Sequence, residues 1–205
     1  YSKNDPDERH PNLNICPICM GHPGTLPTIN QEAVKKMIQV GLALQGEIAE
    51  FSQFDRKNYF YPDLPKGYQI SQYEHPLVKG GYLNIANGKW QMANSMTERR
   101  IRIRRVHLEE DTGRLIHNPS TGSSPVDFNR AGIPLMELVT EPVLRSGEEV
   151  KKFGEELRLI LRYLGVSDAD MEKGQMRVEV NISLGPTTND QRLTTKNLGT
   201  KVEIK

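Results

Sequence analysis

The stretch Pro134-Leu135-Met136-Glu137-Leu138-Val139-Thr140-Glu141-Pro142 is a strand pattern that a proline bounds at each end. Two amphipathic helices are also predicted, one beginning after Asn30 and one from Ser146 to Gly165, where Ser146 and Glu149 form a capping box. Without regular alternation of the two element types, this predicts an α+β domain, a mostly antiparallel sheet with flanking helices. The other strand patterns are residues 82–86, 101–108, 176–184 and 200–204.

Composition narrows the function classes. The chain has 205 residues, 36% of them hydrophobic, which is enough to bury one sizeable core. Its net charge of +1 excludes a generally cationic coat, so any RNA partner must be bound by local patches. No apolar stretch approaches the roughly 20 residues that span a bilayer, and no membrane partner is expected. Lys205 follows a strand pattern with no turn, and we expect further sequence beyond both ends.

Strand geometry places Glu137 on one face with Leu135 and Val139. The sequence therefore predicts a buried carboxylate, which costs several kcal/mol unless a cation or a hydrogen-bond donor compensates it. A salt bridge to an arginine and a metal or catalytic role both explain such a residue.

The stretch His107-Leu108-Glu109-Glu110-Asp111-Thr112-Gly113 ends a strand with three consecutive acids. At least one carboxylate turns inward whichever face is buried. Acids at strand ends hold Mg²⁺, which takes oxygen ligands and usually brings substrate phosphates. The alternative is that these acids are solvent-exposed surface residues without a ligand.

Residues 176–184 and 200–204 alternate apolar and polar side chains. The pattern predicts an apolar core face for each strand. The polar side chains are either a water-exposed sheet face or the floor of a cleft, where Arg and Lys hold phosphates and Glu holds metal. If these side chains line a cleft, the residues with a role in it are Arg177, Glu179, Lys201 and Glu203.

Two further segments bear on ligands. Residues 54–69 are dense in aromatics, charges and prolines and predict an ordered binding loop. Cys16 and Cys19 have the spacing of half a zinc site, and two further ligands must come from elsewhere, with His10 and His22 beside the pair. Without a second Cys-x-x-Cys, an unmetallated pair is favoured over zinc. The chain has no Gly-x-x-x-x-Gly-Lys-Ser/Thr loop, so ATP use requires another kind of site.

Taken together, five segments resemble the B subunit of aspartyl/glutamyl-tRNA amidotransferase over about residues 11–205. They are Cys16-Pro-Ile-Cys-Met-Gly-His-Pro-Gly-Thr-Leu-Pro, the aromatic stretch from Phe54 to Tyr73, His107-Leu-Glu-Glu-Asp-Thr-Gly, Asp127-Phe-Asn-Arg-Ala-Gly-Ile-Pro-Leu-Met-Glu-Leu-Val-Thr-Glu-Pro and Leu164-Gly-Val-Ser-Asp. The resemblance implies a cradle-shaped catalytic domain like that of glutamine synthetase, here residues 1–205, without the later helical and tail domains that grip tRNA.

The family's reaction, by this resemblance, phosphorylates the side-chain carboxylate of Glu-tRNA(Gln) with ATP and then displaces the phosphate with ammonia. The implied cofactor is Mg²⁺, and the implied partners are an amidase subunit that supplies ammonia, a small third subunit and Glu-tRNA(Gln). Two other readings stay open: a tRNA-binding scaffold in the same complex, and an unrelated Mg²⁺-dependent phosphohydrolase.

The resemblance implies that Glu110 and Glu137 are Mg²⁺ ligands and catalytic residues, with Glu179 and Arg177 beside them. The family's Glu-x-His strand, which also binds metal, is not in this chain. Further metal candidates are Glu109, Asp111, Glu141 and Glu203. Phosphate-binding or base-stacking candidates are Arg56, Lys57, Tyr59, Lys66, Tyr68 and Lys201. The stretches from Met92 to Arg100 and around Asn189 favour the mitochondrial matrix over a bacterial cytoplasm.

Overall fold

The computed structural model describes residues 5–6, 9–86, 98–185 and 198–204. The chain divides into two compact units, Tyr1–Glu141 and Pro142–Lys205. The first unit holds α1 (Gln31–Ala43), β1 (Glu47–Ile48), β2 (Asp55–Asn58), β3 (Tyr68–Ser71), β4 (Val78–Lys79), β5 (Tyr82–Ala86), β6 (Glu98–Glu110), β7 (Arg114–Leu115), β8 (Val126–Asp127) and β9 (Pro134–Thr140). The second holds α2 (Gly147–Tyr163), β10 (Val180–Ile182) and β11 (Val202–Ile204).

The predicted α+β class is confirmed, since every strand pairing within the described ranges is antiparallel. Neither described helix has the length and hydropathy needed to cross a membrane. Most of the stretch from Met92 to Arg100 and the loop near Asn189, which carried the compartment prediction, lie outside the described residues.

Helix α1 begins where the sequence predicted. The side chain of Asn30 accepts hydrogen bonds from the backbone N–H groups of Glu32 and Ala33, at 3.0 and 3.4 Å, which satisfies two donors that the first turn leaves free. Met37 and Val40 are fully buried, and a Cβ on Gly41 would lie 2.7 Å from a methyl group of Val78. The helix therefore packs closely on the face of the first sheet that carries Val78.

Strand β6 is the centre of that sheet. It pairs with β4 and β5 and, over its second half, with β9, while β1 extends the sheet beyond β4. The register with β9 is irregular between Ile103 and Arg105. Ile101 and Ile103 are buried before this bulge, and Val106 and Leu108 are buried after it. The extra residue thus moves the core-facing positions from odd to even numbers.

The aromatic segment is not the loop that the sequence predicted. Its two ends pair as a hairpin, β2 with β3, in the register of Lys57 with Gln69. Only the residues between the two strands form a loop. Gln69 and Ile70 of β3 bind Glu110 at the end of β6, which fixes the hairpin against the first sheet. Mixed polar and aromatic composition concealed the strands because no period-2 pattern survives it.

In the second unit, α2 has the predicted cap. The Ser146 hydroxyl accepts a hydrogen bond from Glu149 N at 3.2 Å, and Gly165 has a φ of 64° where the helix ends. The predicted core face of residues 176–184 was wrong, however. The regular strand is only β10, and Ile182 and Val202 are 45% and 56% exposed. A sheet of two strands buries too little surface to cover its apolar side.

Candidate active site

Three side chains converge where β6 pairs with β9. His107 lies directly opposite Glu137 in the register, and Glu109 follows two residues later on the same face. His107 Nε2 is 3.6 Å from an oxygen of Glu109 and 3.7 Å from an oxygen of Glu137. One ligand atom from each residue lies within 4.8 Å of the others. Among the described residues this is the one group of three or more that could hold a metal ion.

Neighbouring strands orient the cluster. The Ser71 hydroxyl of β3 donates to Glu109 Oε2 at 3.1 Å, and Arg105 Nε donates to His107 Nδ1 at 3.4 Å. Because Nδ1 accepts this hydrogen bond, the ring hydrogen sits on Nε2, which faces the two carboxylates. The Arg105 guanidinium lies 5.8 Å from the centre of the Tyr73 ring.

The donor set fits a divalent cation. Two carboxylates supply the oxygen ligands that Mg²⁺ prefers, and half of the Glu137 side chain is exposed, which leaves room for water or substrate oxygens. His107 Nε2 joins as a ligand only when its hydrogen has moved to Nδ1, and Arg105 must then give up its bond. The carboxylates are therefore the primary ligands of this candidate site.

The prediction that Glu137 is a buried carboxylate was wrong. Its side chain is 50% exposed, although its neighbours along β9 are more enclosed. Strand alternation correctly put it on one face, but among the described strands β9 pairs with β6 alone, and the face is open to solvent at Glu137. Its charge is hydrated and needs no buried counterion.

The predicted Glu110–Glu137 metal pair is not brought together. Glu110 lies on the face of β6 opposite His107 and Glu109, and its side chain is 3% exposed. One carboxylate oxygen binds Lys66 Nζ at 2.7 Å and accepts from Ile70 N at 2.9 Å. The sequence predicted that Lys66 binds phosphates. Its side chain is 4% exposed and its ammonium is paired with Glu110, which leaves it closed to a phosphate in this structure. Glu110 also borders a cavity of about 180 Å³ lined by Phe54 and Ile70.

Two second-tier metal candidates are ion-paired with arginines. Asp111 binds Arg130 at 2.9 Å, and Glu141 binds Arg104 through both oxygens at 3.0 and 3.1 Å. The hydrogen bond from Arg104, and then its charge, lower the pKa of Glu141. Neither carboxylate belongs to the three-residue cluster.

The aromatic hairpin holds the remaining predicted ligands of the first unit. The Arg56 guanidinium lies 4.8 Å from the centre of the Tyr68 ring, and Lys57 Nζ lies 5.7 Å from that of Tyr59. Arg56 and Lys57 are exposed. Burial, and then the charge of Asp63, raise the pKa of Tyr59; Glu109 and Glu110 act in the same direction. Tyr59 is therefore close to the acids, and its role in binding stays a prediction.

The second unit carries four predicted site residues, and all four are exposed: Arg177, Glu179, Lys201 and Glu203. Glu203 lies opposite Asn181 in the β10–β11 register. Their roles as phosphate or metal ligands stay predictions.

Cys16 and Cys19 are free thiols with sulfur atoms 2.9 Å apart. Burial, and then the hydrogen bond to Cys16, raise the pKa of Cys19 to about 12. Burial acts to raise the pKa of Cys16 as well, but hydrogen bonds to its sulfur, first from the Cys19 thiol, outweigh burial and lower it. The turn that carries the pair packs on Lys66, because a Cβ on Gly21 would lie 3.0 Å from Lys66 Cα.

Sequence reasoning missed His107 as a member of the cluster. The signal was present, because residues two apart on a strand share a face and His107 stands two positions before Glu109. No feature of the sequence marks the bulge that brings His107 and Glu109 to the face of Glu137.

Comparison with known proteins identifies the family of the chain. The chain matches the model of the GatB/GatE catalytic domain over residues 1–205. It is 50% identical over 200 residues to the B subunit of the aspartyl/glutamyl-tRNA(Asn/Gln) amidotransferase of Rippkaea orientalis, with 95% of this chain and 39% of that protein covered. The corresponding protein of Persephonella marina is 55% identical, with 95% and 38% covered. The B subunit of a chloroplastic/mitochondrial glutamyl-tRNA(Gln) amidotransferase of Oryza sativa subsp. japonica is 50% identical, with 95% and 34% covered.

The chain thus spans about two fifths of the length of the bacterial relatives, 39% and 38%. The family model covers its full length, and the identity to these relatives is high. The chain belongs to the GatB/GatE catalytic-domain family.

Proposed function

We propose that this chain is part of a glutamine-hydrolysing amidotransferase that converts Glu-tRNA(Gln) to Gln-tRNA(Gln) with ATP. Its relatives are named as B subunits of aspartyl/glutamyl-tRNA(Asn/Gln) and glutamyl-tRNA(Gln) amidotransferases, and the family model matches residues 1–205 of the chain. The observation that carries the proposal is the cluster of His107, Glu109 and Glu137 within that domain. A carboxylate pair that is open on one side suits a cation that accompanies ATP phosphates.

The chemistry requires two steps. A carboxylate oxygen of the tRNA-linked glutamate takes the γ-phosphoryl group of ATP, which gives an acyl phosphate and ADP. The nitrogen of ammonia then bonds to the acyl carbon, the bond to the phosphate oxygen breaks, and phosphate leaves as the nitrogen loses a proton. No general base is needed for the first step, because a glutamate carboxylate is ionised well above its pKa of about 4.3.

The residues of this chain serve the first step. Glu109 and Glu137 hold the cation site on one face of β6 and β9, and Ser71 fixes the orientation of Glu109. Mg²⁺ bound there would neutralise charge on the transferred phosphoryl group. Arg105 fixes the ring of His107 between the two carboxylates.

The proposed partners are those that the reaction needs. An amidase subunit releases ammonia from glutamine, a small third subunit completes the assembly, and Glu-tRNA(Gln) is the substrate. The relatives include bacterial and plant organellar proteins, and the mitochondrial matrix, with a bacterial cytoplasm as the alternative, stays a prediction.

ATP cleavage by the full-length assembly tests this function. We expect cleavage with Glu-tRNA(Gln) and glutamine, and little with uncharged tRNA or without tRNA. Equal cleavage without tRNA would support a phosphohydrolase instead. If the double variant Glu109→Gln, Glu137→Gln still forms Gln-tRNA, the domain would instead be a tRNA-binding scaffold.

A further inference from the structure

The solvent face of β6 carries a row of arginines that leads to the cluster. Arg100, Arg102 and Arg104 alternate along this face before the bulge. The bulge then adds Arg105 to the same face, because the core positions switch from Ile103 to Val106. From Arg100 to His107 the row runs roughly 20 Å, at about 3.3 Å per residue.

Neighbours hold three of the four guanidinium groups in place. Arg100 stacks on Tyr82 of β5, with its carbon 4.0 Å from the ring centre. Arg104 is bound through two of its nitrogens by Glu141. Arg105 is bound to His107. A stacked guanidinium keeps its N–H edge available, which suits it to phosphate recognition.

Away from the cluster, charge on this face favours an anionic ligand. Lys79 lies opposite Arg105 in the register and is exposed, so the described part of the face holds five cations with the four arginines. Besides Glu109 and Glu137 of the cluster, three described carboxylates share the face: Glu47, Glu98 and Glu141. Of these, Glu141 binds Arg104 and Glu98 binds Asn84. Arg100 and Arg102 are therefore exposed arginines of the row that these two interactions do not use.

We propose that this arginine row holds the phosphodiester backbone of the unpaired RNA end that enters the cluster. The row is longer than a nucleotide triphosphate, and its cations before the bulge repeat every two residues, or about 6.6 Å, which allows contacts to successive phosphates. The paired Arg100 and Tyr82, together with the exposed Tyr73 at the cluster end, offer planes on which unpaired bases stack. This assignment rests on the proposed function, which supplies an RNA substrate.

Direct binding of Glu-tRNA(Gln) to the full-length assembly tests the row. Arg100→Gln with Arg102→Gln should weaken binding about tenfold and should flatten the slope of log K against log salt by about 1.4, or about 0.7 for each lost contact to a single strand. Arg100→Lys with Arg102→Lys should recover part of the affinity. Lys35→Gln is the matched control, because Lys35 is an exposed cation on α1, which covers the other face of the sheet.

The outcomes separate the row from the proposed function. A raised KM for ATP with unchanged RNA binding would overturn the RNA assignment in favour of nucleotide phosphates. Unchanged RNA binding in the double variant, or an equal loss in Lys35→Gln, would also overturn it. An assembly that binds Glu-tRNA(Gln) through the row but forms no Gln-tRNA would contradict the proposed function and leave the row supported.

Discussion

Glu109 and Glu110 are adjacent on β6, but their carboxylates lie on opposite faces of the sheet and in different surroundings. Glu109 meets His107 and Glu137 at a cluster that is open on the Glu137 side. Glu110 is closed inside the protein with Lys66, and both side chains are less than 5% exposed. The Glu109 carboxylate lies where a ligand can reach the cluster, whereas the Glu110 carboxylate is held in buried contacts within the protein.

Burial decides this difference. An exposed carboxylate exchanges water for a cation at little cost, whereas a buried ion pair must break before either partner binds anything else. Breaking a buried pair by removing one partner costs about 3–5 kcal/mol, because the remaining charge stays desolvated. We therefore expect Glu110 to be a structural residue, and Glu109 and Glu137 to be the carboxylates of the candidate metal site.

The largest effect is expected at the open cluster. Glu109→Gln and Glu137→Gln should each lower Gln-tRNA formation by roughly 100-fold or more, since loss of a residue that merely positions a metal ligand already costs about 10–100-fold. Glutamine hydrolysis by the amidase subunit should continue. Because Glu137 is half exposed, Glu137→Gln should change the free energy of unfolding by less than about 0.5 kcal/mol. A Glu137→Gln protein with normal amidation would remove this residue from the site.

Changes to the buried Glu110–Lys66 pair should lower the free energy of unfolding. Glu110→Gln should lower the free energy of unfolding by about 3 kcal/mol, and Lys66→Met should have a similar effect. Combining Lys66→Met with Glu110→Gln should cost less than the sum of the single changes, because no unpaired charge is left. Urea denaturation measures this, with Glu32→Gln as the control on an exposed pair with Lys35. Additive losses would show that the ion pair is not coupled.

The fold could be predicted where a local rule controls it. Asn30 and Ser146 cap helices because a side-chain oxygen accepts from the first backbone N–H groups, and both caps are visible in the sequence. The β2–β3 hairpin and the exposed β10–β11 pair could not be predicted. Their burial depends on which elements pack together, and local periodicity does not record that.

The candidate site could be predicted only in part. The acidic strand end at Glu109 and Glu110 and the acid at Glu137 were recognised, but the sequence paired Glu110 with Glu137, whereas the structure places Glu109 on the face of Glu137. The choice depends on the bulge between Ile103 and Arg105, which turns one acid of the adjacent pair toward β9 and the other toward Lys66. No residue type marks that bulge.

A smaller effect is expected at the Arg104–Glu141 pair, which borders the open face. Its hydrogen bond lowers the pKa of Glu141, so the pair stabilises the fold above the unfolded pKa and loses this effect as the pH falls through the folded pKa. Arg104 is half exposed and solvent screens the pair, so Arg104→Gln should cost under about 1 kcal/mol at pH 7. The difference from the parent should shrink as the pH falls through the lowered pKa of Glu141. A loss that is independent of pH would indicate lost packing instead.

The smallest effect concerns the thiols beside the closed pair. Cys19 is buried with a pKa of about 12, whereas the pKa of Cys16 is lowered, so iodoacetamide should modify Cys16 first. The rate should reach half its maximum below the pH of about 8.5 that is usual for a thiol. Mass spectrometry of the parent and of Cys16→Ser measures this. Equal modification of Cys19 would show that its thiol is accessible to solvent.

The most direct measurement is thermal unfolding of the full-length protein, Glu109→Gln and Glu110→Gln in EDTA and in Mg²⁺. A ligand that binds only the folded state raises its stability, so Mg²⁺ should raise the Tm of the parent. Glu109→Gln should unfold near the parent Tm in EDTA and should gain nothing from Mg²⁺. Glu110→Gln should start at a clearly lower Tm and should keep the Mg²⁺ shift. The reverse pattern, a lost shift in Glu110→Gln and a retained one in Glu109→Gln, would contradict the assignment of the open cluster as the metal site.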